Sequence, residues 1–138
     1  MGAWGTMRRF LALGMAAWLG AAAAGCGRGG DERDARRAAE TLYAAVAEKQ
    51  GQTACATLTP AAAHALEQEE SEPCARAVTS VRLSGSRASR VRVYESSAAV
   101  GFEGGDIAFL DHTDEGWRVS AAGCKPMGQE PADCELED

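Results

Sequence analysis

The chain has 138 residues, 46% of them apolar and 25% charged, and a formal net charge of −6. That length suits one domain around one hydrophobic core. The acidic balance, with Lys49 and Lys125 as the only lysines, excludes a nucleic-acid binder, because phosphate recognition requires clustered Lys and Arg.

The chain opens with a basic pair, Arg8-Arg9, followed by an apolar run from Phe10 to Ala24. A basic start, an apolar run and small residues at its end make a secretory signal over residues 1–25. The run is shorter than the ~20 apolar residues of a spanning helix. Met7 is an alternative start, since Met7-Arg8-Arg9 opens a more ordinary leader. The run closes on Ala23-Ala24-Gly25-Cys26, which resembles a bacterial lipobox with Ala23 where that family has Leu. The resemblance implies cleavage before Cys26 and diacylation of its thiol. An uncleaved spanning helix and a cut but unacylated signal are the alternatives.

Each buried methylene contributes about 0.8 kcal/mol, and stable anchoring needs more than one acyl chain. A diacylated Cys26 would meet that condition and hold the chain on the extracytoplasmic face of the cell membrane. Residues 26–30, with Gly27-Arg28-Gly29-Gly30, are expected to form a flexible tether. The leader takes two of the fourteen basic residues and none of the twenty acidic ones, so the remainder carries a formal charge of −8.

Residues 31–138 are expected to form a single domain. Four cysteines remain beyond Cys26: Cys55, Cys74, Cys124 and Cys134. An even remainder in an exported chain reads as two disulfides. Pairing Cys55 with Cys74 and Cys124 with Cys134 closes two short local loops. Zinc ligation needs Cys-x-x-Cys or neighbouring histidines, and neither spacing occurs. No cofactor fingerprint or glycine-rich phosphate loop is present.

Asp31 to Lys49 is predicted as an amphipathic helix, because Ala35, Ala38, Ala39, Leu42 and Val46 recur at steps of three and four. Asp31 is placed to cap it, and Lys49 and Gly51 to end it. Tyr43 lies beside the apolar face, where packing and pocket lining are both open. Gln52 to Leu58 reads as a second short helix. Thr59-Pro60 starts a third, with Thr as the cap and Pro at the first helical position. Its strongest anchor is Leu66, and it runs to about Glu70. Glu67, Glu69, Glu70 and Glu72 crowd its end, either as a solvated rim or as a patch for a basic partner.

The period then changes to two. Arg90, Arg92 and Tyr94 alternate with Val91 and Val93 in a half-buried strand. Ala98 to Phe102, Asp106 to His112 and Trp117 to Ala122 follow, separated by turns at Ser96-Ser97, Gly104-Gly105 and Asp114-Glu115-Gly116. Such short connections make an antiparallel meander. Ser80 to Ser84 is a candidate earlier strand. The tail from Lys125 reads as a loop, closed by a short strand near Cys134 to Leu136. The fold class is therefore α+β: N-terminal helices packed on a curved antiparallel sheet, with two disulfides. Leu42, Val46, Val91, Val93, Phe109 and Val119 are the expected core.

Helices followed by a meander resemble the nuclear transport factor 2-like superfamily, also called the SnoaL or ketosteroid isomerase-like cone. Ala39-Glu40-Thr41-Leu42-Tyr43-Ala44-Ala45-Val46 resembles its opening helix, and Asp114-Glu115-Gly116-Trp117-Arg118-Val119 a late turn and strand. The order Cys55, Pro73-Cys74, Ala122-Gly123-Cys124 and Asp133-Cys134 is similar to small exported lipoproteins of high-GC Gram-positive bacteria. The resemblance implies a cone-like domain, often with a deep pocket between helix and sheet. It does not decide between enzyme and binding module.

Asp111-His112 is the best acid–base candidate. On a strand the two side chains point to opposite faces, so they form no local pair. His64 reads as a surface helix residue. Ser96, Ser97 and Ser120 lack an adjacent base and a nucleophile-elbow motif. Arg90, Arg92 and Tyr94 share a strand face that is able to hold an anion or an acidic partner if it is concave; on the solvent side they are ordinary surface charges, which is the favoured reading because Val91 and Val93 are the natural core pair. The expected function is a non-enzymatic, membrane-anchored lipoprotein binding a protein partner or small ligand. Its contacts are expected among Tyr43, Arg90, Arg92, Tyr94 and His112. The alternative is a small cone-fold isomerase or hydrolase using His112 or Asp111. A spacer that dimerises through its sheet is a third reading.

Overall fold

The computed structural model describes residues 27–138. The signal segment and Cys26 lie outside the described residues.

Helix α1 spans Arg28–Ala47 and buries Ala35, Ala39, Leu42, Tyr43 and Val46. It starts earlier than expected, so of the described tether residues only Gly27 remains outside it. The N–H of Gly30 already bonds to the Gly27 carbonyl at 2.8 Å. Gly29 and Gly30 have open space around them, so nothing stops the helix from extending through them. Asp31 sits in the first turn and not at the cap, where Gly27 provides no side-chain bond. Lys49 takes the left-handed φ of 59° just past the helix. Gly51 does not end α1. It opens α2 (Gly51–Thr57), where an added Cβ would lie 1.8 Å from the Ala75 carbonyl oxygen. Glycine is needed there because two helices touch.

Thr59 caps α3 (Pro60–Glu70) as expected, its hydroxyl accepting the Ala62 N–H at 3.1 Å. Ser71 closes α3 in the left-handed region. Helix α4 (Cys74–Ala77) and a 3-10 turn (Val78–Ser80) follow. Cys55 and Cys74 are bonded, joining α2 to α4.

No strand forms over 80–84. That stretch runs as a connection, and the Ser84 N–H is taken by the Asp106 carboxylate at 2.6 Å. The sheet then builds as β1 (Ala88–Tyr94), β2 (Ser97–Phe102), β3 (Ile107–Thr113), β4 (Gly116–Met127), β5 (Glu130–Asp133) and β6 (Leu136–Glu137). All pairings are antiparallel, in the order β1-β2-β3-β4-β5, with β6 also pairing β4. The tail is therefore not a loop. β4 continues to Met127 and folds back as β5, and the Cys124–Cys134 disulfide fastens that return. The architecture is α+β, with helices on one face of an antiparallel sheet and two disulfides.

The core lies between α1 and the inner sheet face: Ala98, Val100, Phe102, Ala108, Leu110, Trp117 and Val119 are buried there. Leu42, Val46 and Val119 join it as expected. Phe109 does not; it is 38% exposed on the outer face. Period-two geometry sends Phe109 and Leu110 to opposite sides, and Leu110, paired with Val119, takes the inner one. Val91 and Val93 are only partly buried against the core, because β1 is an edge strand. Helix α1 covers the start of that edge. Arg36 donates to the Ala88 carbonyl at 2.6 Å, and Glu40 accepts the Ala88 N–H at 3.0 Å.

Candidate functional site

The outer sheet face gathers three of the candidate contact residues. Arg90, Arg92 and Tyr94 alternate along β1 and project away from the helices, with Tyr94 55% exposed. Cross-strand register places Gly101 and Ala99 beside Arg90 and Arg92, and Ile107 and Phe109 beyond those. Small residues on β2 between larger ones on β1 and β3 leave a trough of about 320 Å³. Arg90, Arg92 and Tyr94 form one wall of the trough and Ile107 part of the other. Among the described residues, neither arginine has a carboxylate within ion-pair distance. This face meets solvent, so it is a shallow, partly aromatic surface carrying two exposed arginines, with the buried Asp106 also bordering the trough, and not an enclosed pocket.

Tyr43 is elsewhere. It is 2% exposed, its ring is stacked on Phe102 with centroids 3.7 Å apart, and its hydroxyl accepts the Gly123 N–H at 3.1 Å. Burial pushes that hydroxyl well above the ordinary phenol range, the Gly123 hydrogen bond pulls part of the way back, and the nearby charge of Asp106 pushes it further up. The side chain packs between helix and sheet, so it is not a pocket-lining contact.

Asp111 and His112 are both exposed and point to opposite faces. His112 lies edge-on to Trp117, centroids 5.0 Å apart, on the inner side at the end of the sheet. Asp111 lies opposite Arg118 on the other side. His64 is exposed on α3. In the acidic run Glu67 is half-buried and accepts the Cys74 N–H at 2.9 Å; Glu69, Glu70 and Glu72 are exposed. Among the described residues no group of three His, Cys, Asp or Glu side chains is arranged to hold a metal ion. No helix there is long and apolar enough to cross a membrane.

Two features escaped the sequence reading. A cleft of about 710 Å³ lies where the α2–α3 junction meets the β3–β4 turn, lined by Leu58, Pro60, Ala63, Asp114, Glu115 and Arg118 among others. Arg118 donates to the Ala56 carbonyl and to Glu115, so its charge is already engaged. Segments more than fifty residues apart in sequence form this cleft, and no local pattern announces it. The second feature is Asp106, a fully buried acid that ties the 81–87 connection to the sheet. The sequence places it at the start of the Asp106 to His112 strand, with no sign that its side chain is buried.

Comparison of the chain with protein-family models, with curated proteins and with solved structures returns no match.

Proposed function

We propose that the chain is a membrane-anchored extracytoplasmic lipoprotein whose folded domain is a non-enzymatic binding module for an acidic protein partner. The observation that carries the binding part is the outer sheet face. Arg90 and Arg92 stand beside exposed Tyr94, with exposed Phe109 two strands away, and among the described residues neither has a carboxylate within ion-pair distance. Guanidinium forks favour carboxylates, and aromatic and Arg side chains are enriched at protein contacts. Anchoring is supported by the lipobox-like Ala23–Cys26 stretch. The pairing of all four downstream cysteines supports export, because disulfides persist in oxidising compartments.

The enzymatic reading has less behind it. Asp111 and His112 diverge into solvent, and a catalytic pair must converge on one reacting atom. The helices-then-meander order fits the cone that the sequence resembles. In such a cone Tyr43 and Phe102 would fill the space that other members keep open for a ligand.

The test combines two measurements. Intact-mass analysis of the membrane-extracted protein should show a diacylated Cys26, and Cys26→Ser should release the protein into the soluble export fraction. Crosslinking on intact cells should then give partner adducts with the wild type that disappear with Arg90→Ser/Arg92→Ser. Adducts unchanged in that variant would place the contact elsewhere, and an unmodified amino terminus would remove the anchor.

A further inference from the structure

Under the lipid-anchor reading, the fold fixes which end of the domain meets the membrane. We infer that the first turns of α1 and the β1–β2 turn rest on the bilayer surface, with Tyr94 at the level of the phospholipid headgroups.

The attachment is short. Helix α1 begins at Arg28, so Gly27 alone separates it from Cys26. One residue reaches at most about 3.6 Å, less than the ~8–10 Å over which charges at a surface act. Whatever surrounds the start of α1 is therefore held against the headgroups.

Helix α1 and strand β1 also hold a fixed relative direction. Arg36 and Glu40 bind Ala88 at the start of β1. One to two turns earlier, Asp31 faces Val93, Tyr94, Glu95, Ser96 and Ser97 across an open cleft of about 780 Å³. Helix and strand thus run antiparallel, and the β1–β2 turn lies beside the point of attachment. The β2–β3 turn and the disulfide-closed β4–β5 hairpin lie at the far end.

The chemistry is compatible with contact there. Tyr94 is among the most exposed large side chains, and tyrosine suits the membrane–water interface because its ring is apolar and its tip is polar. Arg92, on the same strand face, lines the trough with Arg90 and is left to the proposed partner. Over residues 31–37 of α1, Asp31, Glu32 and Asp34 are matched by Arg33, Arg36 and Arg37. Glu95 opposes an anionic surface as a single carboxylate in the β1–β2 turn. The β3–β4 turn ends at the same level with Asp111, Asp114 and Glu115. Those carboxylates repel anionic headgroups, so the domain leans on its β1 side.

The test uses the native acylated protein in phosphatidylethanolamine–phosphatidylglycerol vesicles containing a phospholipid with a photoreactive headgroup. Adducts should map by mass spectrometry to residues 28–37 and 93–97. Adducts at 103–105 or 128–130, or spread evenly over the chain, would overturn the inference while leaving the anchor intact. Intact mass on the same sample reports acylation of Cys26 separately, so failure of the anchor is recognised as such. Inserting a long Gly/Ser linker after Gly27 should abolish labelling of 93–97. Undiminished labelling in that variant would also overturn the inference, since the short attachment is what imposes the contact.

Discussion

The phenol oxygen of Tyr43 accepts the backbone N–H of Gly123 at 3.1 Å, joining the first helix to the long strand β4 across eighty residues of sequence. Gly123 sits at φ 66°, one residue before disulfide-bonded Cys124. Removing the hydroxyl strands a buried N–H, which costs about 1–3 kcal/mol. Tyr43→Phe should therefore lower the urea midpoint with an unchanged m-value. Tyr43→Ala, which also loses the ring stacked on Phe102, should cost about 3–5 kcal/mol.

The same hydroxyl predicts an alkaline limit to stability. Its pKa is raised by burial in the folded state, whereas in the unfolded chain it titrates near pH 10. A raised folded value means the native state keeps the proton longer. Its contribution is then complete below about pH 10 and declines as pH rises beyond it. Stability measured against pH should fall in that alkaline range for the wild type, with a shallower fall for Tyr43→Phe.

Two glycines should respond oppositely to the same substitution. At Gly51 an alanine Cβ meets the Ala75 carbonyl oxygen at 1.8 Å, and backbone cannot swing aside as a flexible side chain would. Gly51→Ala should destabilise by about 1–3 kcal/mol or more. Gly30 is helical with nothing near its Cβ position. Gly30→Ala should stabilise by about 0.5–1 kcal/mol. Thermal denaturation of the two variants checks both signs.

Each disulfide closes a loop, with separations of 19 and 10 residues, worth about 3 kcal/mol in the chain-entropy account. Replacing either pair with alanine should cost about 2–4 kcal/mol. The two losses should differ in kind. Without Cys55–Cys74 the helical layer loosens as a whole. Without Cys124–Cys134 the β5 return should become open to limited proteolysis near Gly128–Glu130 before the rest of the fold unfolds.

The elements with strong local signals were legible from sequence alone. The Thr59-Pro60 start of α3, the alternation of β1 and the turn at Asp114–Gly116 all follow from neighbours a few residues apart. The disulfide partners followed from loop length. The choice between Phe109 and Leu110 for the core did not, because β3 is apolar on both faces and only α1 lying across the sheet selects one. The hairpin after Met127 was hidden by Pro and Gly residues that read as loop. At the site, the shared face of Arg90, Arg92 and Tyr94 was visible in the period of two. The small-residue floor of the trough was not, since it depends on β1–β2–β3 register. Asp106 was missed because a buried carboxylate is recognised only from its partners.

The hold of Arg36 and Glu40 on Ala88 leaves the remainder of β1 as an open border. Under the proposed anchoring, copies confined to one leaflet would collide often, and open borders invite them to zip together. An antiparallel zip centred on Val91 would set Arg90 of each copy against Arg92 of the other, a like-charge clash on both flanks. The guanidinium groups proposed to attract a partner would thus also keep a crowded population of these molecules from seizing one another.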